Sequence, residues 1–122
     1  MSGQPVNIEI PADDTTRARE FWGSLFGWKF EASRGLFEYD VARISEHSAA
    51  SITDMEPGKR GIRIYFDVDD INASIARVKE LGGAAGEPRP VPHTGWASIC
   101  ADVEGNGFAL WQDDPAAPGP TY

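Results

Sequence analysis

Glu9 and Arg63 are the residues of this chain best placed to do chemistry on a small molecule, because each sits in a stretch of strict alternation. In PVNIEI at 5–10, Ile8 and Ile10 alternate with Asn7 and Glu9; in IRIYFDV at 62–68, Ile64, Phe66 and Val68 alternate with Arg63, Tyr65 and Asp67. A period of two marks a half-buried strand whose polar members share one face. Arg63, with Asn7 and Tyr65, offers hydrogen-bond donors to a carboxylate, enolate or quinone oxygen. Glu9 is a candidate catalytic base, since a carboxylate held among apolar neighbours can take a proton. The same two residues also permit a purely structural reading, in which a buried arginine and carboxylate satisfy one another and add little stability.

Other chemistries find little support. There is no G-x-S-x-G elbow, phosphate-binding loop or dinucleotide glycine motif, and the glycines at 82, 83 and 86 follow a predicted helix without leading into one. Cys100 is the single cysteine and falls in a predicted strand with no cation near it in sequence, which suits a buried structural thiol. His47 and His93 lie in predicted loops without H-x-x-E, H-x-H or C-x-x-C spacing, so a lone solvated histidine is the expectation for each. With 11 basic against 19 acidic side chains and a net charge of −8, phosphate backbones and anionic membranes are poor partners. No apolar run spans a bilayer, and no intrachain disulfide or leader-like segment is present, so a cytoplasmic protein is expected.

Aromatic residues could supply walls for a planar ligand. Phe37, Tyr39 and Val41 share one strand face, Trp111 shares a face with Ala109, and Trp96 opens another strand. Core or dimer packing is the alternative for any one of them. Phe21, Trp22, Trp28 and Phe108 are assigned to the core. The loop EPRPVPHTG at 87–95 is a candidate lid, stiffened by proline and hinged at Gly95, or else an inert connection.

The elements that position these residues occur twice. NIEIPADDTTRAREFWGSLFG at 7–27 and RIYFDVDDINASIARVKELGG at 63–83 superimpose without gaps at an offset of 56, matching Asp13 and Asp14 to Asp69 and Asp70, and Gly27 to Gly83. In the first copy Ala18, Phe21, Trp22, Leu25 and Phe26 form a helical stripe with an acidic cap ahead and glycine behind; in the second the stripe is Ile71, Ile75, Val78 and Leu81. Strands are predicted at 28–32, 36–44 and 51–55, and in the second half at 84–89, 96–101 and 107–112. The expectation is one domain over 1–122 made of two βαβββ modules, about 5–56 and 61–112, with an extended or disordered tail from 113.

That order, together with EIPADDTTRAREFWGSLFGW, FDVDDINASIARVKELGG and DVEGNGFALWQ, resembles the vicinal oxygen chelate superfamily, which includes glyoxalase I, bleomycin-resistance proteins and extradiol dioxygenases. The resemblance implies an α+β fold whose two modules curl a mixed sheet into a cup, helices outside, with ligand inside and homodimers common. In metal-using relatives the ligands stand on the first and last strands of each module. Those positions here hold Asn7 and Arg63 on the opening strands and Ala109 on the closing strand, and the offset carries Ala109 back to Thr53. None is a good metal ligand, and Arg63 would repel a cation. The resemblance therefore implies a glyoxalase-like protein without metal or other cofactor, binding a small aromatic or carbonyl-containing molecule through Asn7, Glu9, Phe37, Tyr39, Arg63, Tyr65, Trp96 and Trp111. A lyase, isomerase or dioxygenase-type enzyme on a small carbonyl or phenolic substrate is the alternative.

Overall fold

The structure, a computed structural model, describes residues 3–33, 39–54 and 61–119. Its elements run β1 (Pro5–Ala12), α1 (Thr15–Phe26), β2 (Glu31–Ser33), β3 (Tyr39–Arg43), β4 (Ala49–Asp54), β5 (Arg63–Asp67), α2 (Ile71–Glu80), β6 (Ala84–Ala85), β7 (Arg89–Val91), β8 (Gly95–Ala101) and β9 (Gly107–Asp113). The βαβββ order therefore occurs twice, with β7 added to the second copy. Val6–Ile64 forms one compact unit, and the described residues from Tyr65 onward, with the start of the chain, form the other. The division falls inside β5, so Arg63 belongs with the first unit.

Within the first unit β1 and β4 pair in parallel, while β3 pairs antiparallel with both β4 and β2. The even-numbered side chains face α1: Ile10, Ala12 and Ile52 are buried, with Ile8, Ala18, Trp22, Trp28 and Phe30 packed against them. Within the second unit β5 and β9 are parallel, and β8 pairs antiparallel with β9, β6 and β7. Its core is Val68, Ile71, Ile75, Cys100 and Leu110 under α2, with Trp96 and Phe108 against it. Each module covers one face of its strands with a helix and leaves the other face available for a site.

Aspartate caps set both helices at equivalent positions. The Asp14 carboxylate accepts from the Arg17 amide at 3.0 Å, and the Asp70 carboxylate accepts from Ala73, 56 residues after Arg17, at 3.1 Å. The exits differ. Gly27 closes α1 in the left-handed region at φ 74°, whereas in α2 that conformation falls on Gly82 at φ 96°, one residue before the glycine that the repeat pairs with Gly27. Gly83 instead lies so close to the chain that an added Cβ would come within 2.7 Å of the Ala101 carbonyl oxygen.

Three expectations are corrected. Phe21 is 61% exposed, because Ala18 and Trp22 fill the space against the sheet and Trp22 stacks on Trp28 at 5.8 Å, leaving Phe21 edge-on outside. The 87–95 segment is no lid: Arg89, Pro90 and Val91 pair with Ala97, Trp96 and Gly95, tying it to β8 as a hairpin arm. The described part of the tail packs back on the second unit, with Ala117 buried, its carbonyl accepting from the His93 amide, and the Asp114 amide donating to the Thr94 carbonyl.

Two predictions arise here. The Trp111 ring and the Gln112 carbonyl occupy the space a Cβ on Gly95 would need. Gly95→Ala is expected to destabilise the chain by about 1–3 kcal/mol, read as a lower denaturation midpoint; an unchanged midpoint contradicts that packing. In the 102–106 turn the Asp102 carboxylate accepts from the Asn106 side chain and from the Asn106 and Glu104 amides. The Asn106 side-chain bond is the main cause that holds the Asp102 pKa below its ordinary value. A depressed carboxylate stabilises the fold above its unfolded pKa, and that contribution disappears as pH falls through the folded value. Asp102→Asn should therefore flatten the loss of stability on acidification from about pH 5 to about pH 2. Parallel acid curves for variant and parent would contradict the capping role.

Candidate functional site

Strand register fixes which side chains share the face that α1 leaves free. Asn7, Glu9 and Pro11 on β1 pair with Ala49, Ser51 and Thr53 on β4, and these pair with Arg43, Val41 and Tyr39 on β3. The side chains of Asn7, Glu9, Pro11, Val41, Arg43, Ala49, Ser51 and Thr53 alternate with, and point away from, the buried Ile10, Ala42 and Ile52. A polar face made partly of small residues results.

Arg63 and Glu9 meet on this unit. Arg63 Nη1 lies 3.7 Å from Glu9 Oε1, with side chains 22% and 16% exposed. That distance is an ion pair, longer than a tight charge-assisted hydrogen bond. Among the described residues the guanidinium makes no hydrogen bond, so its planar fork of donors is available to a ligand oxygen. Asn7 Nδ2 donates to Ser51 Oγ at 3.3 Å, and Ser51 is buried. The amide, the hydroxyl and the ion pair together suit a small anionic or carbonyl group held by donors, with Glu9 limiting the excess positive charge.

The second unit places its candidates on both sides of its strands. Tyr65 pairs with Ala109 and Asp67 with Trp111, on the face opposite Phe66, Phe108 and Leu110. Tyr65 and Trp111 are both partly buried there, and the Trp111 indole donates to Asp113 at 2.8 Å. Trp96 is elsewhere. It packs into the core under α2 and donates its indole N–H to Asp114 at 3.0 Å, so it is a core residue and not a wall of the same face as Trp111. Phe37 and the side chain of Tyr39 lie outside the described residues.

The closing-strand position in the first module also shifts. Tyr65 corresponds to Glu9 by the offset of 56; Tyr65 pairs with Ala109, and Glu9 pairs with Ser51. The structural counterpart of Ala109 is therefore Ser51, not Thr53, because the segment before β4 is two residues shorter than its equivalent. Ile52 then matches Leu110, each buried under its own helix. Ser51 is the site residue that the sequence reading missed, and matching the large aliphatic Ile52 to Leu110 is the signal that finds it.

The four positions assigned to metal ligands are thus Asn7, Ser51, Arg63 and Ala109. This donor set does not fit a divalent ion: Ala109 has no ligand atom, Arg63 is a permanent cation, and Asn7 and Ser51 offer only neutral oxygens. Among the described residues no three His, Cys, Asp or Glu side chains are grouped to hold an ion. His47 is exposed, 3.9 Å from Glu46, and His93 sits at φ 60° in the β7–β8 turn. Cys100 is buried beside Ser98, as a structural thiol would be. No helix among the described residues is long and apolar enough to cross a membrane.

Residues 6–111 match the family model described as "Glyoxalase-like domain". A "Glyoxylase-like domain-containing protein" of Didymella fabae is 31% identical, over 90% of this chain and 94% of its own. "Putative glyoxylase CFP32" of Mycobacterium bovis is 29% identical over 90% of this chain, and the chain spans 46%, about half, of that relative's length. Among solved structures, hypothetical protein BH1468 of Bacillus halodurans superimposes at a TM-score of 0.77 with 17% identity, covering 98% of this chain and 100% of its own. Methylmalonyl-CoA epimerase of Mycobacterium tuberculosis does so at 0.71 with 14% identity, covering 93% and 89%. These structural likenesses establish the α+β fold of two βαβββ modules.

Proposed function

Since this chain belongs to the glyoxalase-like family, we propose that it binds a small carbonyl- or carboxylate-bearing molecule on the helix-free face of its first module, with Arg63 supplying the positive charge that a divalent ion supplies in metal-using relatives. The observation that carries this reading is the partly buried guanidinium, paired with Glu9 at 3.7 Å and otherwise without hydrogen bonds among the described residues. An arginine fork can receive two oxygens of one ligand, which is the geometry a chelating metal would otherwise provide.

In this reading the chain's own residues bind and orient and need move no proton. Arg63 takes the carboxylate or carbonyl oxygens, Asn7 held by Ser51 adds an amide, and Glu9 fixes the guanidinium in place. The direct test is metal dependence. Equilibrium dialysis against zinc, nickel and manganese should load far less than one ion per chain, and binding of phenylpyruvate, an aromatic 2-oxo acid, should be the same with and without EDTA. One ion per chain, together with turnover of a methylglyoxal–thiol adduct, would overturn the proposal.

A further inference from the structure

Two surface concavities of the first unit are lined by described residues. One, of about 240 Å³, is lined by Thr16, Arg19, Glu20, Trp28 and Phe30, and its cation is already answered, with Arg19 Nε 3.5 Å from Asp40 Oδ2. The other, of about 350 Å³, is lined by Gly27, Trp28, Lys29, Glu31, Val41 and Arg43. Here the cations are unanswered: Lys29 and Arg43 have no ion pair or hydrogen bond among the described residues. Two cations and one carboxylate leave a net +1 in a chain whose total is −8. A local positive field in an acidic protein favours an anion at that spot over solvent counter-ions.

Register ties this concavity to the site. Val41 pairs with Ser51 and Ser51 with Glu9; Arg43 pairs with Ala49 and Ala49 with Asn7. Arg43 therefore stands on the same face as Asn7 and Glu9, two strands from β1, about 10 Å by strand spacing, and Arg63 Nη1 reaches to 3.7 Å from Glu9 on that strand. The side chains between are small, Ala49 and Ser51, so an extended ligand meets no bulk from β4.

We infer that the Lys29–Arg43 concavity is an anion subsite of the binding face, so that the ligand carries a second carboxylate about 10 Å from the group held by Arg63. This rests on the proposed function of Arg63. Glu31 limits the subsite, weakening it by like-charge repulsion and selecting against ligands that place more than a modest negative charge there.

The test compares suberate, an eight-carbon dicarboxylate, with octanoate by NMR titration, following the Arg43 guanidinium and the Trp28 indole. Exposed ion pairs contribute modestly, so suberate should bind about two- to fivefold tighter per cation engaged. Lys29→Gln combined with Arg43→Gln should erase that preference while octanoate binding stays at the parent value, and Glu31→Gln should widen it. A suberate-to-octanoate ratio of one in the parent, a ratio untouched by the double substitution, or no suberate-dependent shift at Arg43 and Trp28 at millimolar ligand would each overturn the subsite. Failure of the underlying site is separately visible: octanoate binding would then be indifferent to Arg63→Ala.

Discussion

Arg63→Ala is expected to weaken phenylpyruvate binding by about 1.5–3 kcal/mol, roughly 10- to 100-fold, the worth of a hydrogen bond to a charged group. The guanidinium is 22% exposed, so solvent screens part of the interaction and the lower half of that range is favoured. Arg63→Lys should fall between parent and alanine, because the charge stays while the planar two-donor fork is lost. Glu9→Gln should move the other way. It removes the carboxylate 3.7 Å from Arg63 Nη1 and leaves the cation less neutralised, so an anionic ligand binds more tightly. If Glu9 were instead a base acting on the ligand, its amide variant would lose turnover and not gain affinity. Calorimetric titration of the three variants against the parent reads these directions directly.

Ile52→Ala carries the largest expected effect on stability. Ile52 is fully buried in the middle of β4, packed with Ile10 and Ala12 under α1, beside Trp22 and Trp28. Removing its methyl and methylene groups costs the transfer free energy and leaves a cavity that neighbouring strands cannot close, about 2–5 kcal/mol in total. Chemical denaturation should show the midpoint falling with an unchanged slope. Phenylpyruvate affinity of the folded fraction should hardly move, since Ser51 and Thr53 keep their facing on the other side of the strand. A loss of only a few tenths of a kcal/mol would contradict the place of Ile52 at the centre of the first core. The two substitutions thus separate: Arg63→Ala acts on binding with little change in stability, Ile52→Ala on stability with little change in binding.

Much of the frame is legible in the sequence because its signals are local. Alternation alone phases β1 and β5, and it places Glu9 and Arg63 on one polar face, where they meet. The aspartate caps at 14 and 70 announce both helices and act as the pattern requires. What escapes the sequence depends on longer-range geometry. The helical stripe of α1 includes Phe21, Leu25 and Phe26, but a helix buries only the part of its stripe that reaches the sheet, and two stacked tryptophans fill that contact first. Strand β8 carries apolar residues on both faces, Trp96 and Cys100 toward the helix and Ile99 away from it, so periodicity leaves the facing of Trp96 undetermined. Ser51 was hidden behind Thr53 because a repeat aligned without gaps misplaces every strand beyond a loop of different length, and only pairing register corrects it. The 87–95 segment reads as a loop from its prolines, yet proline is tolerated on an edge strand where its missing N–H is not needed.

The most direct measurement is a titration of metal-stripped protein, in the presence of EDTA, with phenylpyruvate while the side-chain N–H resonances of Arg63 are followed by NMR. Saturable shifts of those resonances, at the same apparent affinity as in protein never exposed to EDTA, are the predicted result. Binding that leaves the Arg63 guanidinium unmoved, or that appears only after a divalent ion is restored, would contradict an arginine-held ligand.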